Sequence, residues 1–164
     1  MDCLLCEKSY PKTQIECYEC HNNLQTIKPY SPHLSQIIRL GERLCNGEVD
    51  PGLFQLAIKN LIKRLDIADD EYFKQEANYT KEDLIILEDM LNSILEQSEF
   101  FRHTLQELLE SSKLLDIRQI YTNLDKAKIS ETMYLKAGEK LKNLTKEEFI
   151  ELGKKKGVEI KFQD

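Results

Sequence analysis

The chain has 164 residues, 41% hydrophobic and 32% charged, with six Gly and four Pro. Those proportions fit one ordinary folded domain with at most a small appendage, and they exclude a low-complexity, collagen-like or wholly disordered chain. The formal charge is −6, which argues against the basic footprint of a nucleic-acid binder.

No apolar run approaches the ~18–20 residues of a membrane-spanning helix. The opening Met1-Asp2-Cys3-Leu4-Leu5-Cys6-Glu7 lacks the basic and then apolar pattern of an export signal. The expectation is therefore a soluble, cytoplasmic protein with no membrane association. Charge is unevenly spread: residues 66–116 carry a net −10, whereas residues 126–164 carry +3.

Four of the five cysteines fall in the first 20 residues, as Cys3-Leu4-Leu5-Cys6 and Cys17-Tyr18-Glu19-Cys20, ten residues apart. Two cysteines three apart on a tight turn can aim both sulfurs at one point, and two such turns supply four thiolates in a tetrahedron. The intervening residues suffice for two short strands turning around Tyr10-Pro11-Lys12, so that one knuckle faces the other.

Residues 3–20 resemble a zinc ribbon, the rubredoxin-like arrangement of two cysteine knuckles on a β-hairpin. That resemblance implies a structural Zn2+ held by Cys3, Cys6, Cys17 and Cys20, and it implies no particular activity. Glu7 and His21 stand where ribbons tend to place Gly, just after the second cysteine of each knuckle. An iron or iron–sulfur centre uses the same ligands and stays open as an alternative. Cys17-Tyr18-Glu19-Cys20-His21 also fits the c-type haem attachment pattern, which would leave Cys3 and Cys6 without a role. A dithiol redox pair would need a helix N-terminus after a strand, which neither pair has.

After Lys28-Pro29-Tyr30-Ser31-Pro32, read as a hinge, the apolar period becomes helical. Ser31 is the expected N-cap, Leu34, Ile37, Ile38, Leu40, Leu44 and Cys45 the apolar stripe, and Asn46-Gly47 the stop. Asp50-Pro51 opens a second helix carrying Leu53, Phe54, Leu56, Ala57, Leu61, Ile62 and Leu65, running towards Ala77. Thr80 caps a third, whose seam of Leu84, Leu87, Leu91, Ile94, Ser98, Phe101, Leu105 and Leu108 alternates steps of three and four. A fourth is expected after Ser111-Ser112, with Ile117, Ile120, Leu124, Ala127, Tyr134 and Leu141 on one stripe and Gly138 weakening its end. Thr145-Lys146-Glu147-Glu148 is a capping box for a short last helix ended by Gly157, after which residues 158–162 alternate like a lone strand or extended tail.

The expected fold is mainly α: a zinc ribbon over residues 1–28, then a helical domain over 29–164 of four or five helices. Within it an acidic antiparallel hairpin spans about 80–143, and a short last helix about 146–156. His33 and His103 read as surface or boundary residues, His21 as solvent-facing, and Cys45 as a small buried hydrophobe. Asp66, Asp69, Asp70 and Glu71 lack the spacing of a calcium loop and read as a solvated helix face.

No phosphate loop, Ser–His–Asp grouping or HExxH element is present, and four cysteine ligands leave a metal no open position. The expectation is a non-catalytic interaction or adaptor protein whose ribbon presents Leu4, Leu5, Tyr10 and Tyr18. The acidic hairpin favours a partner with a basic face. The alternative is a nucleic-acid-associated regulator using the ribbon or Lys154, Lys155 and Lys156. The heptad seam pairs within the chain or, as the other reading, forms a homodimer.

Overall fold

A computed structural model describes residues 1–160. Five α-helices dominate: α1 (Pro32–Cys45), α2 (Pro51–Glu76), α3 (Lys81–Lys113), α4 (Ile117–Lys142) and α5 (Lys146–Lys155). The chain is mainly α, as its periodicity predicts. Residues 158–160 form no regular element, and the rest of the expected C-terminal strand lies outside the described residues.

Each helix begins where cap chemistry places it. The Ser31 hydroxyl accepts the Leu34 amide and the Asp50 carboxylate the Gly52 amide, with Pro32 and Pro51 in the first turn. Thr80 with Asp83, and Thr145 with Glu148, form reciprocal capping boxes. Helix ends are closed by a recurrent pair of backbone bonds. At α1, Gly47 N donates to Leu44 O and Glu48 N to Arg43 O, with Gly47 at φ 73°. At α5 the same pair runs from Gly157 and Val158, with Gly157 at φ 72°.

The boundary between α3 and α4 differs from expectation. Ser111 and Ser112 lie buried inside α3, their hydroxyls donating to Leu108 O and Leu109 O of their own helix. The helix stops two residues later, where Leu115 takes the left-handed conformation at φ 49°. Its amide donates to Ser112 O and that of Asp116 to Ser111 O. A leucine makes the turn that glycine usually makes, so no glycine marked the stop. Asp116 then caps α4, and Ile117 at its start is exposed rather than on the buried stripe.

α3 and α4 pack against each other as a long hairpin, and α2 packs on α3. The seam from Leu87 to Leu108 is buried within the chain, and only Leu84 at its N-terminal end is exposed. Two apolar clusters result. The larger joins α1, α2, the C-terminal half of α3 and the N-terminal half of α4, centred on Phe54, Phe101, Leu105 and Ile120. The smaller, around Ile86, Leu87 and Leu91, gathers Tyr72, Tyr79, Leu141, Phe149 and Leu152 at the other end.

Polar groups tie the elements where the apolar pattern gives no direction. Arg102 of α3 binds Asp66 of α2 at 2.9 Å and also Asp69, which accepts the Ser98 hydroxyl at 2.9 Å. The expected solvated acidic face holds for Asp66, Asp70 and Glu71, all exposed, and is corrected at Asp69, which is partly buried and, with Asp66, pairs with Arg102 to join α2 to α3. Glu131 of α4 is buried and accepts both the Ser31 amide, at 2.9 Å, and the Ser31 hydroxyl, at 2.6 Å. Ile27 N donates to Ser35 Oγ, and Tyr30 packs against the larger core. The Pro-marked segment is thus anchored to α1 and α4.

No helix among the described residues is long and apolar enough to cross a membrane.

Candidate metal centre

The first 25 residues build two nearly identical turns. In one, Cys3 N donates to Lys8 O and Glu7 N to Cys3 O; in the other, Cys17 N donates to Asn22 O and His21 N to Cys17 O. Single antiparallel bridges, Asp2 with Ser9 and Glu16 with Asn23, close the two turns. Each knuckle therefore sits on its own small loop. The expected strands flanking Tyr10-Pro11-Lys12 reduce to these two bridges.

Glu7 at φ 58° and His21 at φ 54° adopt the left-handed backbone that ribbons usually assign to Gly. A side chain there costs roughly 1–2 kcal/mol against glycine. Both side chains have partners: Glu7 pairs with Lys63 at 3.5 Å, and His21 Nδ1 lies within hydrogen-bond distance of the Glu16 carboxylate, at 2.6 Å. His21 faces Glu16 on the exposed side and is not among the clustered ligand atoms.

The four cysteines converge. Their sulfurs all lie within 4.8 Å of one another, with Cys3 and Cys20 at 3.3 Å and Cys6 and Cys17 at 3.5 Å. A tetrahedron with metal–sulfur bonds of ~2.3 Å has sulfur–sulfur edges of about 3.8 Å, so the donor set fits one ion at its centre. All four are free thiols.

Hydrogen-bond donors surround the four sulfurs. Lys8 N–H bonds the Cys6 sulfur, Asn22 N–H that of Cys20, and the amides of Glu19 and Cys20 that of Cys17. The Asn22 side chain donates to Cys3 Sγ at 3.6 Å. The Tyr10 hydroxyl lies 3.0 Å from Cys17 Sγ. Burial opposes ionisation of Cys17, but the phenol and amide donors outweigh it and bring the thiol down to about 6. Burial and the neighbouring thiols push Cys6 and Cys20 up. A cation at the centre reverses that penalty by coordinating the charge that burial disfavours.

The site is joined to the helices by residues whose role sequence reasoning missed. The Gln36 carboxamide of α1 accepts from Leu4 N at 2.9 Å and from Asn22 Nδ2 at 2.7 Å, and it donates to Asp2 O at 2.8 Å. Asn60 of α2 donates to Leu4 O at 2.6 Å, and Arg64 of α2 pairs with Asp2 at 2.6 Å. Leu4 itself is 0% exposed and belongs to the larger helical core.

This corrects the expected contact surface. Leu4 is a plug pointing inwards, Leu5 and Tyr10 are partly buried, and of the four only Tyr18, 75% exposed, faces outwards. Gln36 gave no signal because it lies off the expected apolar stripe. It is buried because the cysteine segment covers a second face of α1. Cys45 lies away from the cluster, half-buried against the core.

Compared with known proteins, the chain matches no family model, no curated protein and no solved structure.

Proposed function

We propose that this chain is a non-catalytic zinc protein whose Cys3, Cys6, Cys17 and Cys20 hold one structural Zn2+, and which acts as an interaction or adaptor module. The observation that carries the reading is the closed donor set: four thiols within 4.8 Å of one another, with Cys3 and Cys17 fully buried. Four protein ligands leave no position for a substrate, which is the arrangement of a structural rather than a catalytic zinc. The metal would hold in place a segment too small to fold on its own core.

The contacting surface is the acidic exterior of α2 and α3, with Tyr18 and Ile15 exposed on the cysteine segment. Such a surface suits a protein partner with a basic face. A nucleic-acid role through Lys154, Lys155 and Lys156 has less support, because Lys156 is engaged by Asp89 at 3.0 Å.

The native mass of protein purified without added metal or chelator tests the site. One zinc per chain is the expected result, whereas iron, haem or a bare chain would overturn it. Passage through heparin at low salt is expected as well, and salt-dependent retention would favour the nucleic-acid reading.

A further inference from the structure

α2 and α4 both pack on α3 but stand apart from each other, which leaves a groove between them along the bundle. α1 fills one half of that groove, touching α2 and α4. Its N-cap Ser31 is bound by Glu131 at 2.6 Å, and a Cβ on its Gly41 would come 2.9 Å from Leu124. α1 therefore runs antiparallel to α4 and begins beside Glu131. Its apolar stripe of Leu34, Ile37, Ile38 and Leu44 joins Phe101 and Leu105 of α3 in the larger core.

Beyond Glu131 the groove continues unfilled. It becomes an open cleft of about 770 Å³, reached on α4 from Tyr134 onwards and closed by α5 through Phe149. Leu87 and Ile94 of α3 supply its floor, and Ile94, although buried, belongs to neither core. The free stretch of α4 from Tyr134 to Lys142 is about 12 Å long at ~1.5 Å per residue. That is the two turns spanned by apolar positions i, i+3, i+4 and i+7 of a helix.

The filled and open halves share a build. In the filled half a glycine of α1, Gly41, allows close approach to Leu124 and Phe54. In the open half the glycine is on α4. Gly138 lines the cleft, and a Cβ there meets nothing within 4 Å, so packing inside the chain makes no use of it. Glycine destabilises a helix interior, and a bare backbone lets a second helix come close. Beside it Leu135, 40% exposed, leaves the wall apolar.

Charge does not select the occupant. Glu139 and Lys142 offset each other in the lining, and Lys146 is engaged within the chain. Recognition falls to the apolar surface. Each of the five helices already seats its apolar stripe in one of the two cores, which points to a helix of another protein rather than of a second copy.

We infer that the cleft docks one amphipathic helix of a partner protein, laid end to end with α1 in the fourth position of the bundle. Its apolar face meets Ile94, Leu135 and Phe149 and crosses α4 at Gly138, the helix-in-groove mode of recognition. The groove gives the adaptor reading, on which it rests, a partner of stated chemistry. It lies away from the cysteines, so zinc in the native mass and a helix in the groove can fail separately.

Calorimetric titration of the full-length, metal-loaded chain tests it. The probe is a synthetic helix of about 15 residues of Leu, Ala, Gln and Lys, with leucines at i, i+3, i+4 and i+7. Saturable 1:1 binding is expected, with a scrambled peptide of the same composition roughly tenfold weaker or worse. Leu135→Glu and Gly138→Phe put a charge and a bulky ring into the groove, and each is expected to weaken the helix by roughly tenfold or more. Met133→Glu puts the same charge on α4 outside the cleft, at a residue 43% exposed, and is expected to leave binding unchanged.

Binding no tighter than that of the scrambled peptide, or untouched by both groove variants, would overturn the proposal. So would equal loss with Met133→Glu, which would place the peptide on the outer face of α4. A native dimer that becomes a monomer on Gly138→Phe would make the groove a contact between copies and equally overturn it. Saturable uptake of decanol without uptake of the peptide would do the same, by making the cleft a small-molecule site.

Discussion

Leu115 carries a local conformational cost that the rest of the structure tolerates. Its backbone sits at φ 49° and its side chain is 55% exposed, so it gains little from packing in return. Leu115→Gly removes the steric cost and should stabilise the protein by about 1 kcal/mol, read as a higher urea midpoint at unchanged m-value. A fall in the midpoint would mean that the leucine side chain contributes more through packing than the strain costs.

Glu131 is the second residue whose environment can be tested directly. It is 3% exposed, and burial raises its pKa despite the two hydrogen bonds from Ser31. A carboxyl with a raised folded pKa stabilises the fold most below its unfolded value of 4.5. That contribution is lost as pH rises through the folded pKa. Glu131→Gln removes the titration, so the stability of the variant relative to the native chain should rise between pH 4.5 and neutrality. Equal and parallel pH profiles for the two proteins would show that the carboxylate is fully compensated by Ser31 and the N-terminus of α1.

At the scale of elements, the caps carried most of what the sequence made legible. Ser31-Pro32, Asp50-Pro51, Thr80 and Thr145 are local chemistry within four residues, and all four open helices. The α3 stop was not legible because the residue in left-handed conformation is a leucine, whereas the stops at Gly47 and Gly157 were. The cysteine spacing likewise announced the donor set, since two knuckles are a local pattern. The docking of that segment onto the helices was not legible. It depends on Asp2, Leu4, Gln36, Asn60 and Arg64, which lie up to 62 residues apart and follow no shared period.

The same docking makes Leu4 a test of whether the cysteine segment belongs to the helical core. A leucine in a freely exposed knuckle would be neutral to truncation, but this one is buried among residues of the larger cluster. Leu4→Ala should cost about 3 kcal/mol through lost burial and the cavity left behind. Its cysteines are untouched, so one metal per chain should still be retained. Stability within ~0.5 kcal/mol of the native chain would detach the segment from the helical core.

For the whole molecule, metal removal should propagate along a defined path. Without the ion, the cysteine segment has only a small cluster around Cys3, Cys17 and Leu24 to hold it together, and its thiols lose their shared partner. As it loosens it withdraws Leu4 from the core, along with the acceptor and donor groups that Gln36 and Asn60 bind. Those two polar side chains then face the cost of unsatisfied burial or of opening to water. The loss reaches α1 and the first half of α2, which they belong to. It bypasses the far end of the hairpin, where Ile86, Leu87 and Leu91 pack against Leu141, Phe149 and Leu152. Chelation, or Cys17→Ser, should therefore lower the melting temperature by about 10 °C, taking the loss of the Leu4 seat as ~3 kcal/mol. Hydrogen exchange should quicken in α1 and the N-terminal half of α2 while amides near Leu87 and Leu91 stay protected. Faster exchange confined to residues 1–25 would mean that the segment is a separate appendage. Uniform loss across all five helices would mean that the metal governs one cooperative unit.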